Sequence, residues 1–232
     1  MDDLTILYIT ASEMPQKWMD FQLSHLVKSI GDTPIISVSR KPMDLGINLI
    51  DNEEKSYWNI YKQMLRASKE ATTLFVAMAE DDTLYTLQHF RDFRPPVDAV
   101  SYNRSRWSLF SWDPIYCIRQ RISNCSLIAP RDLLIEALTE RDKKWPNGAP
   151  DNITGEIGRP DVERKLKVTP RKSVEWYSRG PIVQLNHPIG TDKGDYGKDK
   201  GRHMVKKHGQ IQAYDIPYWG KALEVIKYYD EN

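Results

Sequence analysis

Apolar residues along this chain fall into two alternating patterns, and that alternation argues a fold. Residues 4–10, Leu-Thr-Ile-Leu-Tyr-Ile-Thr, form a run short and apolar enough for a strand buried on both faces. An amphipathic helix is predicted over 17–30, and residues 34–40, Pro-Ile-Ile-Ser-Val-Ser-Arg, give a second strand. Tyr57, Ile60, Tyr61, Met64, Leu65, Ala67 and Ser68 then recur at helical spacing within 53–72. The run 74–79, Leu-Phe-Val-Ala-Met-Ala, is a third buried strand. Strands that alternate with helices predict a parallel sheet. The expected class is α/β, with a mixed, mostly parallel sheet flanked by helices.

Further along, the pattern predicts a short helix over 84–92, a strand at 99–102, hairpin strands over 108–111 and 113–119, and a strand at 124–129. Pro130 is expected at the first position of a helix that buries Leu133, Leu134, Ala137 and Leu138. A late strand occupies 181–185. The run 218–229, with Trp219, Leu223, Val225, Ile226 and Tyr229, reads as a small C-terminal helical extension, docked on the domain or half of a homodimer contact. Trp107, Phe110, Trp112 and Tyr116 are read as sheet packing, an acceptor platform being the alternative.

Chemistry enters where the third strand ends in Glu80-Asp81-Asp82. Ligands of open α/β sheets collect at the carboxyl ends of parallel strands. Adjacent carboxylates repel, and a hard divalent cation such as Mg²⁺ or Mn²⁺ offsets that cost. In extended chain Glu80 and Asp82 point the same way, which makes them the better metal pair. The competing reading is an acidic turn whose Asp82 caps a helix beginning near Thr83. Loops after the first two strands share this edge of the sheet, so Thr10, Ala11, Ser12, Ser39 and Arg40 are candidates to line the same crevice. Lys62, on the polar side of the 53–72 helix, is a candidate phosphate contact, the alternative being a solvated lysine. Neither a Gly-x-Gly-x-x-Gly nor a Walker lysine motif is present.

Composition changes the picture modestly. The net charge of +1 conceals an asymmetry, because residues 164–208 hold twelve Lys/Arg against four Asp/Glu, and such a segment suits an anion. Two cysteines, Cys117 and Cys125, supply neither a disulfide framework nor a zinc spacing. No stretch approaches the roughly 20 apolar residues of a membrane span, and Met1-Asp2-Asp3-Leu4 is unlike a signal peptide, so a cytoplasmic location is expected. The Gly- and Pro-rich loop over 145–163 carries Asp151, Glu156 and Asp161, each a candidate to face a reacting centre. Asp151 has a competing role as cap of a helix over 152–157. The strand at 181–185 runs into Asn186-His187-Pro188-Ile189-Gly190-Thr191-Asp192-Lys193. There an imidazole can complete a two-carboxylate metal site, Gly190 permits close backbone approach, and Lys193 offers a point charge to phosphate.

Ala79-Glu80-Asp81-Asp82-Thr83-Leu84 after a buried strand resembles the Asp-x-Asp motif of GT-A glycosyltransferases, whose sheet is Rossmann-like. His187-x-x-Gly190-x-x-Lys193 resembles the His-x-x-Gly-x-x-Lys motif of the glycogenin-like and galactosyltransferase-like retaining enzymes. The resemblance implies Glu80, Asp82 and His187 as ligands of Mn²⁺ or Mg²⁺, Asp81 near the ribose, and Gly190 and Lys193 at the diphosphate of a nucleotide sugar. The loop at Thr10 to Ser12 would flank the base. Glu80 replaces the first Asp of the motif, and Gly194-Asp195 stands where Pro-Trp is usual, so retaining and inverting outcomes both stay open. Asp151 or Glu156 would deprotonate the acceptor in one case and steady an oxocarbenium-like centre in the other. The expectation is one GT-A-like domain over 1–232: a nucleotide-binding half at 1–92, an acceptor and catalytic half at 93–192, and a basic loop and helix at 193–232. Its expected activity is metal-dependent transfer from a nucleoside diphosphate sugar, UDP-sugar first, to a hydroxyl on a glycan or a hydroxymethylated DNA base. A nucleotidyltransferase and a non-catalytic nucleotide- or sugar-binding protein are the alternatives.

Overall fold

The computed structural model describes residues 1–119, 121–189 and 211–229. Strand β1 (Leu4–Ile9) is buried along its whole length and leads through a loop into α1 (Gln16–Ile30). Strands β2 (Ile35–Ser39) and β3 (Ile47–Ile50) follow, then α2 (Tyr57–Glu70) and β4 (Phe75–Glu80). The side chains of β1 alternate between two cores, as a strand buried on both faces requires. Leu7 and Ile9 pack with Met64 of α2, and Ile6 and Tyr8 pack with Leu26 of α1. Fully burying an aliphatic side chain of this kind contributes roughly 1.5–3 kcal/mol.

The remaining elements are β5 (Thr83–Leu84), α3 (Leu87–Arg91), β6 (Ala99–Asn103), β7 (Arg106–Phe110), β8 (Asp113–Ile118), β9 (Leu127–Pro130) and α4 (Arg131–Lys144). They are followed by α5 (Pro160–Leu166), β10 (Lys172–Trp176), β11 (Ile182–Asn186), the short strands β12 (Gln212–Ala213), β13 (Asp215–Ile216) and β14 (Gly220–Lys221), and α6 (Ala222–Ile226). A seven-stranded sheet runs in the order β10-β6-β9-β4-β1-β2-β3. Only β9 in it runs antiparallel to its neighbours, β4 and β6. A second, five-stranded sheet has the order β12-β8-β7-β11-β5. Among the described residues no helix is long and apolar enough to cross a membrane.

Several expectations need correction. No helix begins near Thr83: Thr83 and Leu84 pair with Gln184 and Val183 of β11, so Asp82 is not a helix cap. Leu84 is buried with Val183 and Leu185, and that packing favours a strand over a helical turn. Helix α3 starts only at Leu87, behind Thr86. The strand expected over 124–129 is a single tight turn, Asn124–Ser126, followed by β9, and Pro130 is the residue before α4 rather than its first. The helix expected over 152–157 is one tight turn, Asp151–Ile153, so Asp151 caps no α-helix.

Candidate active site

The geometry of the site begins with sheet register. In β1 and β4, Ile9 lies opposite Glu80, so the loop at Thr10 and the acidic turn leave the sheet side by side. Thr10 Oγ1 donates to Asp81 Oδ2 at 2.5 Å and accepts from the Ser12 N–H at 2.8 Å. Ser12 adopts a left-handed φ of 56°, held locally by that bond and by the Lys41 N–H, which donates to its hydroxyl at 3.3 Å. Helix α1 fastens the acidic turn from below. Trp18 Nε1 donates to the Asp81 carbonyl at 2.7 Å, while Gln22 Nε2 reaches the carbonyls of Glu80 and Thr83 at 3.3 and 3.0 Å. With its backbone satisfied in this way, the turn contributes all three carboxylates to the lining of one cleft.

Strand β11 approaches from the other sheet. The Leu185 N–H donates to the Asp82 carbonyl at 2.7 Å, and Gln184 Nε2 donates to Asp82 Oδ2 at 3.2 Å. That pairing delivers His187 beside the acidic turn, although the two lie far apart in sequence. Its ring is buried against Tyr229, and its Nδ1 has no hydrogen-bond partner among the described residues.

A cleft of about 840 Å³ opens between the two sheets. Of the candidate residues, Thr10, Ala11, Arg40, Glu80, Asp81, Asp82, Asp151, Glu156 and His187 line it. Other candidates stand outside it. Ser39 is buried, donating to the Lys41 carbonyl at 2.7 Å and accepting from Asn48, which fixes the loop after β2. Asp161 is paired with Arg159 on the surface, and neither Ser12 nor Lys62 lines the cleft. Gly190 and Lys193 lie outside the described residues. The aromatics Trp107, Phe110, Trp112 and Tyr116 pack in the second sheet and beside it; the rings that face the cleft are Tyr57 and Tyr61.

Charge in the cleft is unbalanced. Burial, then Asp82 and Asp81, push Glu80 well above the usual carboxylate range, and burial with Asp82 pushes Asp81 up to about 7. Burial holds His187 below its ordinary value, against the upward pull of Asp82. Crowded, desolvated carboxyl groups beside an imidazole supply the donor types a divalent cation takes. Among the described residues, however, no three such groups are close enough to make a complete metal site. An ion held here would draw on no more than two of these described side chains together, and its remaining ligands would come from a bound substrate or water.

Several residues here escaped sequence reasoning. Lys55 lines the cleft, pairs with Glu13 and donates to the Ile189 carbonyl, and its charge acts on Asp81. Arg141, 1% exposed, donates to the carbonyls of Gly155 and Glu156 at 2.7 and 3.3 Å and so presents the Glu156 loop. Arg106 and Gln184 connect β7 to Asp82. A basic residue opening an otherwise apolar strand was the available signal for Arg106.

No family model matches the chain, and no curated protein matches it in sequence. Among solved structures it is similar to the apo-form glycosyltransferase GlyE of Streptococcus pneumoniae TIGR4, with a TM-score of 0.50 and 12% identity. That match covers 98% of this chain and 60% of GlyE. The chain has a GT-A-like fold. It is also similar to a glycosyltransferase involved in glycosylating the major capsid of PBCV-1 (TM-score 0.48, 13% identity, 87% of this chain and 98% of that one). A nucleotidyl transferase from Methanothermobacter gives a TM-score of 0.45 and 14% identity over 89% of this chain and 98% of that one. The fold places ligands at the carboxyl ends of the parallel strands, which is where the cleft and its carboxylates are found.

Proposed function

We propose that the chain transfers a glycosyl group from a nucleoside diphosphate sugar to a hydroxyl acceptor. The observation that carries this reading is the joining of the acidic turn to β11, which sets Asp82 and His187 at one end of a cleft large enough for a nucleotide sugar. Thr10 and Asp81 are hydrogen-bonded to each other in the lining of the cleft, where the ribose would be received. A divalent ion, when bound, would neutralise charge that grows on the departing diphosphate. Lys55 adds a fixed positive charge that acts on both Asp81 and His187. Glu156 is half of an ion pair with Arg159 and is held by Arg141, whereas Asp151 is exposed. Glu156 is therefore the better placed of the two to steady a reacting centre, and Asp151 the better to meet an acceptor. The nucleotidyltransferase alternative needs a glycine-rich phosphate loop after β1. Thr10-Ala11-Ser12-Glu13 offers none, and its first hydroxyl is committed to Asp81.

Calorimetry with UDP and GDP, with and without Mn²⁺, tests the donor before any acceptor is known. Metal-dependent binding is expected, and Asp82→Ala and His187→Ala should each reduce it at least tenfold. Undiminished binding in both variants would rule out the assigned site. A panel of nucleotide sugars screened for metal-stimulated hydrolysis then identifies the sugar.

A further inference from the structure

One wall of the cleft is built from arginines that the donor reading does not use. Arg106 opens β7 and Arg119 follows its partner strand β8, and the Arg119 N–H donates to the Arg106 carbonyl at 3.0 Å. Arg121 lies two residues further on, and all three line the cleft. Arg106 is 3% exposed and Arg119 6%, while Arg121 is open to solvent.

A guanidinium removed from water requires an anion or a full set of acceptors. Arg106 has neither. Its hydrogen bonds go to two neutral oxygens, Gln184 Oε1 at 2.5 Å and the Arg121 carbonyl at 2.7 Å, and its buried Nε has no partner among the described residues. Glu80 acts on it only through space. Gln184 also fixes the location, because its Nε2 donates to Asp82 Oδ2 at 3.2 Å while its Oε1 accepts from Arg106. Arg106 is thus one side chain away from the acidic turn, and it is contributed by the second sheet. Planar guanidinium forks of this kind match phosphate oxygens in pairs.

We propose that Arg106, Arg119 and Arg121 form an oxyanion subsite that binds a phosphate group carried by the acceptor, a proposal that rests on the transferase reading above. The acceptor is then a phosphate ester whose free hydroxyl lies close to the phosphate. A phosphorylated polyol and a phosphodiester polymer share this chemistry.

Titration calorimetry of the full chain with inorganic phosphate, at fixed ionic strength and with UDP and Mg²⁺ saturating, reads the subsite directly. Phosphate should bind alongside UDP, and Arg121→Gln should weaken it about fivefold or more. Arg106→Gln should abolish phosphate binding. Arg121 is exposed, so its variant keeps the fold and carries the test should the buried variant be too unstable to assay. Glycerol 3-phosphate and a short oligothymidylate, titrated in the same way, separate a monoester from a diester source; tighter binding of either than of phosphate supports the subsite. Phosphate affinity unchanged by Arg121→Gln overturns the proposal, as does phosphate that merely displaces UDP. UDP binding without phosphate binding removes the subsite and leaves the donor site intact. Phosphate binding in a chain that takes no UDP removes the transferase reading and leaves the subsite.

Discussion

Thr10 shows how much one hydroxyl can govern. It donates to Asp81 and accepts from the backbone of Ser12, so it sets a carboxylate and a left-handed turn together. Thr10→Val keeps the shape and removes both bonds, leaving a buried carboxylate oxygen and an N–H without partners. The expected cost is about 1–3 kcal/mol of stability with weaker UDP binding, and Thr10→Ser should restore both. Urea unfolding checks the first effect; a valine variant as stable as the parent would show that the bond carries nothing. His89 makes a different prediction. It is fully buried, accepts from Asn103 Nδ2 at 3.1 Å, and is pushed down to about 3 by burial and then by Arg94. The unfolded chain therefore binds a proton near pH 6.5 that the folded chain refuses until about pH 3. Stability is full above that window and falls as pH drops through it, by at most about 1.4 kcal/mol per pH unit. His89→Phe, which can retain the stacking on Trp176, should flatten this acid limb between pH 6.5 and 4. Parallel limbs in the two proteins would exclude His89 as the source. At this scale, the acids and His187 were legible because each stands where an apolar run stops. Arg106 and Gln184 were not, because their bond joins residues 78 apart in sequence and exists only once β7 and β11 have paired.

Elements explain why the acidic turn holds its form. Gln22, on the inner face of α1, accepts from the Tyr8 hydroxyl at 3.1 Å and supplies the donors for two turn carbonyls. Gln22→Leu fills the space but strands a hydroxyl and two carbonyls in the interior. A loss of about 2 kcal/mol or more is expected, with reduced metal-dependent UDP binding, since the turn would no longer be fastened to the helix. Thermal unfolding and calorimetry together test this, and a variant that loses stability yet binds UDP normally would detach the helix from the site. The helix and the strands it packs against were readable from periodicity, since burial on two faces leaves an uninterrupted apolar run. Strand β5 was hidden for the opposite reason. Two residues carry no period, and the acids before it mimic a helix cap. Strand β10 is equally opaque, because Lys172 and Ser173 at its start are exposed on an edge of the sheet.

Taken whole, the molecule is a sheet that the sequence order makes plain and a second sheet that it conceals. The five strands of the latter come from four separate regions of the chain, and three of its pairings, β11 with β5, β11 with β7 and β12 with β8, cross long separations. The segment 211–229 packs against it and supplies its edge strand β12. Ile216, Ala222, Val225 and Tyr229 pack there against Trp18, Leu84 and Leu185, Trp219 Nε1 donates to the Pro181 carbonyl at 2.8 Å, and the Tyr229 ring lies 5.8 Å from that of His187. Burial of those four side chains is worth on the order of 6 kcal/mol, comparable with the whole stability of an ordinary domain. A chain ending at residue 210 should therefore lose the second sheet, and with it the position of His187, while the helices of the larger sheet persist. Near-UV circular dichroism should weaken far more than far-UV, the urea midpoint should fall, and the slope of the transition should decrease as less surface is left to expose. Metal-dependent UDP binding should disappear at the same time. A truncated chain with the parental midpoint and slope would show that this segment decorates the fold without supporting the site.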